Sequence, residues 1–191
     1  MFKLITDPLV EPVSVTELKS QLRITSSAQD TMLGVLLKAA RQNVEDYLRY
    51  SIITATWELY LDCFPKSGEE IWIQKSPVTE IVSITYKDTS NVAQTWAAAN
   101  YVLDANAKPG RVYENYNCTY PDTLKIPNAV TVKFKAGYAS AAEVPEVIKQ
   151  AILMQAATLY ENPSDEVTGT QVNKIDKNSE WLLKPYRAMR F

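Results

Sequence analysis

A chain of 191 residues, 46% hydrophobic and 22% charged, is long enough to bury one substantial core or two small ones. Its 20 basic and 22 acidic residues leave a formal charge of -2, which argues against a protein whose main task is gripping phosphates, because such domains carry a marked basic excess. Histidine is absent, which removes the usual general base, the commonest metal ligand and the middle member of nucleophilic triads together.

No stretch approaches 18 consecutive apolar residues, and Met1 to Pro8 lacks the apolar run and small-residue cleavage site of a leader, so a cytosolic chain is expected. Cys63 and Cys118 are then expected to be reduced, packing thiols. Pro8 and Pro12 keep the leading segment extended. Ser14-Val15-Thr16-Glu17 is a capping box, and Val15, Leu18 and Leu22 continue it as a short helix from about Ser14 to Arg23. A polar gap, Thr25 to Gln29, follows. Asp30 is expected to cap the longest helix, in which Leu33, Leu36, Leu37, Ala40, Val44, Tyr47 and Leu48 form one stripe. Lys38, Arg41, Glu45 and Arg49 are assigned to its solvated face, and the pattern ends near Ser51.

From Ile52 the period changes to two, with Trp57, Leu59 and Leu61 on one face and Thr56, Glu58, Tyr60 and Asp62 on the other. Strand-like runs recur at Ile71 to Ile73, Ile81 to Tyr86, Tyr101 to Leu103 and Val130 to Phe134. The turn-rich pieces between them, such as Lys66-Ser67-Gly68, Lys87 to Asn91 and Lys108-Pro109-Gly110, suit an antiparallel sheet rather than parallel crossovers. Helical spacing returns after Gly137-Tyr138, with Pro145 in the first turn and Val147, Ile148, Ala151, Ile152, Met154 and Leu159 forming a wide apolar surface. That helix stops before Asn162-Pro163. Ser164 to Asn178, with Gly169 and few large apolar residues, is expected to be a long loop or arm, and a short helix follows from Ser179 to Leu183, ahead of Pro185. The expected class is α+β: a helical core built from 1–52 and 139–191, with an antiparallel β-rich layer or lobe, 53–138, inserted between its halves.

No phosphate-loop, dinucleotide, zinc or nucleophile-elbow motif occurs, and the five glycines offer no obvious phosphate cradle. Asp165 and Glu166 fall in the polar loop, while Glu143 and Glu146 stand at a helix start, where acids meet the macrodipole favourably. No catalytic, cofactor-binding or metal-binding residue is therefore assigned. Tyr113, Tyr116 and Tyr120 cluster in a stretch poor in aliphatics. Cross-strand packing or a subunit interface accounts for them, with stacking on nucleic-acid bases as the alternative. From Lys174 to Phe191, basic residues interleave with Trp181, Tyr186, Met189 and Phe191. This is either a solvated basic helix face or a docking tail suited to an acidic or aromatic-lined groove on a neighbouring protein.

Several segments, taken in order, resemble one family. Leu9 to Lys19 with Leu22-Arg23-Ile24 is similar to the start of the head-tail connector (head-completion, adaptor) proteins of tailed bacteriophages and prophages. Ala39 to Tyr47 followed by Ile53-Thr54-Ala55-Thr56-Trp57 resembles that family's long helix and first strand. Lys135 to Tyr138, Val144-Pro145, Ile148 to Leu153, Leu159 to Asn162 and Leu182 to Arg187 continue the likeness. The segment after Asn162 departs from it, and Phe64 to Thr123 matches only as a strand pattern, so no interface residues carry over from there.

The resemblance implies a non-enzymatic structural subunit without cofactors. Such a subunit forms a ring with copies of itself on the portal protein, extends the DNA channel without binding DNA specifically, and offers a platform to a further connector or tail protein. It implies assembly in the host cytoplasm and a final place at the head-tail junction of the virion, away from any membrane. A tail-completion or tail-terminator subunit is the nearest alternative. The expected assembly residues are Val167, Thr168, Gln171, Lys174, Lys177, Trp181, Leu183, Tyr186, Arg187 and Arg190.

Overall fold

The capping box forms as its spacing predicts. In the computed structural model, which describes residues 1–162 and 178–187, the Ser14 hydroxyl accepts from the Glu17 amide at 3.2 Å while the Glu17 carboxylate takes the Ser14 amide at 2.6 Å. This opens α1 (Val15–Leu22). Helix α2 (Asp30–Leu48) is capped by Gln29 rather than Asp30, with no side-chain cap bond. The Asp30 carboxylate is instead drawn to Lys19, 2.8 Å away. Helix α3 (Glu146–Glu161) starts one residue after Pro145 and ends where the Asn162 amide bonds the Thr158 carbonyl. A short α4 (Asn178–Leu183) runs into a 3-10 turn, Lys184–Tyr186.

The chain divides into two units. One takes residues 9–53 and 139–187 and holds these four helices; the other takes residues 1–8 and 54–138. In the helical unit α2 packs on α3, α1 touches both, and α4 lies on α3. Leu18, Leu33, Leu37, Ala40, Val44, Leu48, Ile148, Ala151, Ile152 and Ala156 are buried, the stripe that helical periodicity requires.

Arg41 and Glu45, assigned above to the solvated face, are buried, at 2% and 5% exposure. Arg41 stands four residues after Leu37 and Glu45 four after Arg41, so both ride the edge of the buried stripe. Their charges are satisfied locally. Arg41 Nε donates to the Glu11 carboxylate at 2.7 Å and its Nη1 to Glu45 at 2.8 Å, while the other Glu45 oxygen accepts the Ile52 amide at 2.8 Å. One guanidinium thus fastens the leading segment to α2, and one carboxylate fastens the turn after α2.

The other unit contains β1 (Phe2–Thr6), β2 (Ala55–Leu61), β3 (Ile71–Ile73), β4 (Val78–Lys87), β5 (Ala93–Trp96), β6 (Tyr101–Asp104), β7 (Gly110–Glu114) and β8 (Val130–Ala136). They form two antiparallel sheets, a five-stranded one in the order β1-β2-β8-β4-β5 and a three-stranded one in the order β3-β7-β6. Strand β8 alternates perfectly, with Val130, Val132, Phe134 and Ala136 inward. Strand β4 begins three residues before its alternation becomes legible, because its pairing with β8 slips between Val78 and Glu80 and again between Ile81 and Ser83. Both sheets feed one core, in which Leu59, Ile84, Val132 and Phe134 meet Ile71, Ile73 and Val112.

Candidate functional site

Successive helix residues are turned by about 100°, so residues two apart point to nearly opposite sides. In α4 this separates Leu183, which is fully buried, from Trp181, which is 74% exposed. Leu183 therefore belongs to the core of the helical unit and not to its surface. Trp181, Leu182, Lys184, Pro185 and Tyr186 frame, with Val147, a shallow and mainly apolar hollow of about 450 Å³. Arg187 is exposed and lies over the Tyr47 ring, 5.3 Å from its centre. The Tyr47 hydroxyl reaches the Glu180 carbonyl at 3.4 Å. The fold thus gathers Trp181 and Tyr186 around one hollow, with Arg187 next along the chain and over Tyr47. Val167, Thr168, Gln171, Lys174, Lys177 and Arg190 lie outside the described residues, as do Asp165 and Glu166.

A second hollow, of about 500 Å³, lies in the β-rich unit. Its walls are Phe2, Leu61, Phe64, Pro65 and Trp72, and Glu69 and Glu70 bring carboxylates to it. The loop that forms its rim is pinned from several sides. Glu114 accepts from the Gly68 amide at 2.9 Å, the Ser67 hydroxyl at 3.0 Å and the Tyr120 amide. Desolvation pushes the Glu114 carboxyl up, but the bonds from Gly68, Tyr120 and Ser67 outweigh it and hold the carboxyl below its ordinary value. The Tyr120 hydroxyl donates to the Glu69 carbonyl at 2.9 Å. Cys63 lines this hollow and is exposed, so it is not the packing thiol expected from composition; Cys118 is half-buried, and both are free.

The tyrosine cluster separates into three roles. Tyr120 is a core aromatic, stacked on Phe64 at 5.2 Å and tilted against Trp96 at the same centroid distance. Tyr113 carries the Arg111 guanidinium, 5.3 Å from its ring, and Arg111 pairs with Asp104 at 2.7 Å. Tyr116 is 88% exposed. Two of the three rings are therefore occupied within the fold. Of the remaining carboxylates, Glu146 pairs with Lys149 at 2.7 Å and Glu143 accepts from Ser140.

Among the described residues no group of His, Cys, Asp and Glu could hold a metal ion, and no helix is long and apolar enough to cross a membrane. What the surface offers is a basic, aromatic patch on one unit and an acidic, aromatic-walled hollow on the other. The hollow escaped sequence reasoning because Phe2 reaches it only through the pairing of β1 with β2, where Phe2 faces Leu59.

The model of the family described as phage gp6-like head-tail connector protein matches residues 12–106. Solved structures extend the likeness to the whole chain. A chain in the neck of an empty gene transfer agent particle, computed with C6 symmetry, aligns with a TM-score of 0.80 and 23% identity over 100% of this chain and 97% of its own. A chain in the virion of the native gene transfer agent particle gives 0.77 and 23%, and one in the native neck computed with C12 symmetry gives 0.78 and 21%, with the same coverage. At these identities the likeness establishes the fold. No curated protein sequence matches this chain.

Proposed function

This chain belongs to the phage gp6-like head-tail connector family, and on that premise we propose that it is a non-enzymatic connector subunit that assembles as a ring on the portal. The helical unit is the connector core and the β-rich unit its inserted lobe. The ring extends the DNA channel and presents a platform to a further connector or to a tail protein. Assembly takes place in the host cytoplasm, and the mature location is the head-tail junction of the virion.

The observation that carries this reading is the full-length fit to neck chains: nothing large is left over on either side, at 100% of this chain and 97% of the other. Two of those necks were computed with cyclic symmetry, C6 and C12. A cyclic ring needs two different patches per subunit, one for each neighbour, and this chain carries two of unlike chemistry. A net charge of -2 also suits a wall past which DNA slides without being held.

The test is to mix purified protein with the portal of the same particle and image the complex by electron microscopy. An added ring at the portal is the expected result. Failure to bind either the portal or DNA-filled heads removes the connector role. Deleting Val167 to Lys174 is expected to leave a folded monomer that no longer enters particles, whereas normal incorporation would take that segment out of the assembly surface.

A further inference from the structure

Resting on the ring reading above, we infer that the C-terminal patch of one copy, Trp181 flanked by Lys184 and Arg187, seats in the acidic, aromatic-walled hollow in the β-rich unit of the next copy. Three observations converge on this contact. The first is Trp181 itself: an indole 74% exposed at the start of a basic stretch is the residue type that dominates interface energetics once its surface is taken from water. The second is charge. Lys184 and Arg187 are both exposed and follow the indole closely in the chain, Lys184 opening the 3-10 turn that continues α4 and Arg187 just after that turn.

The third is the receiving surface. Phe2, Leu61, Pro65 and Trp72 offer apolar walls, while the exposed Glu69 and half-buried Glu70 supply the opposite sign at the rim. Glu69, Glu70 and Asp104 stand here against Arg111 and the Met1 amino group, which leaves the carboxylates in excess. Arg111 lies over Trp72 at 5.4 Å but pairs with Asp104, and the Met1 amino group donates to the Tyr60 carbonyl at 3.1 Å. Neither a basic patch nor an acidic hollow is complementary to itself, so two copies meeting patch to patch or hollow to hollow would bring like charges together. Patch to hollow is attractive, and because both features belong to every copy, it propagates head to tail, which is the contact geometry of a ring.

Cys63 lines the hollow and supplies a built-in probe. Trp181→Cys is introduced in a Cys118→Ser background, and assembled particles are treated with a short bis-maleimide and analysed on denaturing gels. The expected result is a ladder of covalently joined copies that disappears with Cys63→Ser. Particles that contain the ring by electron microscopy but yield only single chains overturn the contact and leave the connector reading intact. Cross-links from the introduced thiol to a different protein also overturn it, in favour of a partner other than this chain. Particles made with the unaltered chain that lack the protein altogether overturn both.

A second pair of variants keeps the indole in place, in case its loss prevents incorporation. Lys184→Glu with Arg187→Glu is expected to lower incorporation about tenfold or more, as loss of about 1.4 kcal/mol per contact dictates. Adding Glu69→Lys and Glu70→Lys to the same chain is expected to restore it. Absence of any restoration, with all variants folded by circular dichroism, overturns the contact.

Discussion

In the β-rich unit the buried side chains are aliphatic and aromatic, with Ser76 the exception, whereas the helical unit buries Arg41 and Glu45 beside its leucines. Alternation on paired strands places each side chain by register, so apolar surface alone can specify the β-rich core. The helical unit has to join segments from both ends of the sequence and a leading segment without regular structure. Directional bonds from Arg41 to Glu11 and from the Ile52 amide to Glu45 supply what helix packing leaves open. Backbone conformations differ in the same sense. Positive φ falls on Asn91, Asn117, Asn128, Gly68 and Gly137 in the β-rich unit, residue types suited to it, but on Arg23 and Arg49 at the helix ends of the other.

The largest effects are expected where each core is opened. Arg41→Met strands the Glu45 carboxylate in the interior and is expected to cost about 3–5 kcal/mol in urea denaturation. Adding Glu45→Leu should recover part of that loss, since it removes the stranded charge but leaves the buried Ile52 amide without its acceptor. Phe134→Ala should cost about 3–5 kcal/mol as well, by leaving a cavity that no compensating charge change repairs. If Arg41→Met with Glu45→Leu stays as unstable as Arg41→Met, the contrast between the two cores breaks.

Gly110→Ala comes next. A β-carbon there would stand 2.7 Å from Val78 Cγ2, inside the packed core, and a loss of about 1–3 kcal/mol in thermal melting is expected. Pairing it with Val78→Ala should cost less than the two changes summed, because the second makes room for the first. Ser14→Ala removes the capping box of α1 and should cost about 1 kcal/mol, confined to the helical unit and visible as faster amide exchange in α1.

The smallest effect is acid dependence. Glu17 is held below its ordinary value by the bonds from Ser14, and Glu114 by the bonds from Gly68, Tyr120 and Ser67, which outweigh desolvation. Each therefore contributes stability that is present above the ordinary carboxylate range and lost as pH falls through the depressed folded value. Melting temperature should decline on acidification below that range. Glu114→Gln should flatten the decline for the β-rich unit, and Glu17→Gln for the helical one. An unchanged slope in both would remove these carboxylates from the account.

Much of this structure is local in origin and was legible as such. The capping box at Ser14, the stripe from Leu33 to Leu48 and the alternation of β8 each depend on residues within one or two turns or along one strand. Their period shows in the sequence because a single face of each must be buried. Strands β1, β5 and β7 passed unnoticed because four or five residues carry too little alternation to stand out, and it is the neighbouring strand that makes them strands. The basic and aromatic composition of the C-terminal stretch was visible, while the burial of Leu183 two residues from the exposed Trp181 required the helix to be placed against α3.

Tertiary structure alone decided the rest. Arg41 looks like a solvent residue until Glu11, thirty positions earlier, is brought to it. The division of the strands into two sheets, and the hollow where Phe2 meets Trp72 and the two glutamates, depend on pairings between distant parts of the chain, as between Phe2 and Leu59. Sequence periodicity records which face of an element avoids water, because that preference belongs to each residue. It does not record which other element covers that face, because that is settled by the mutual fit of surfaces brought together only on folding.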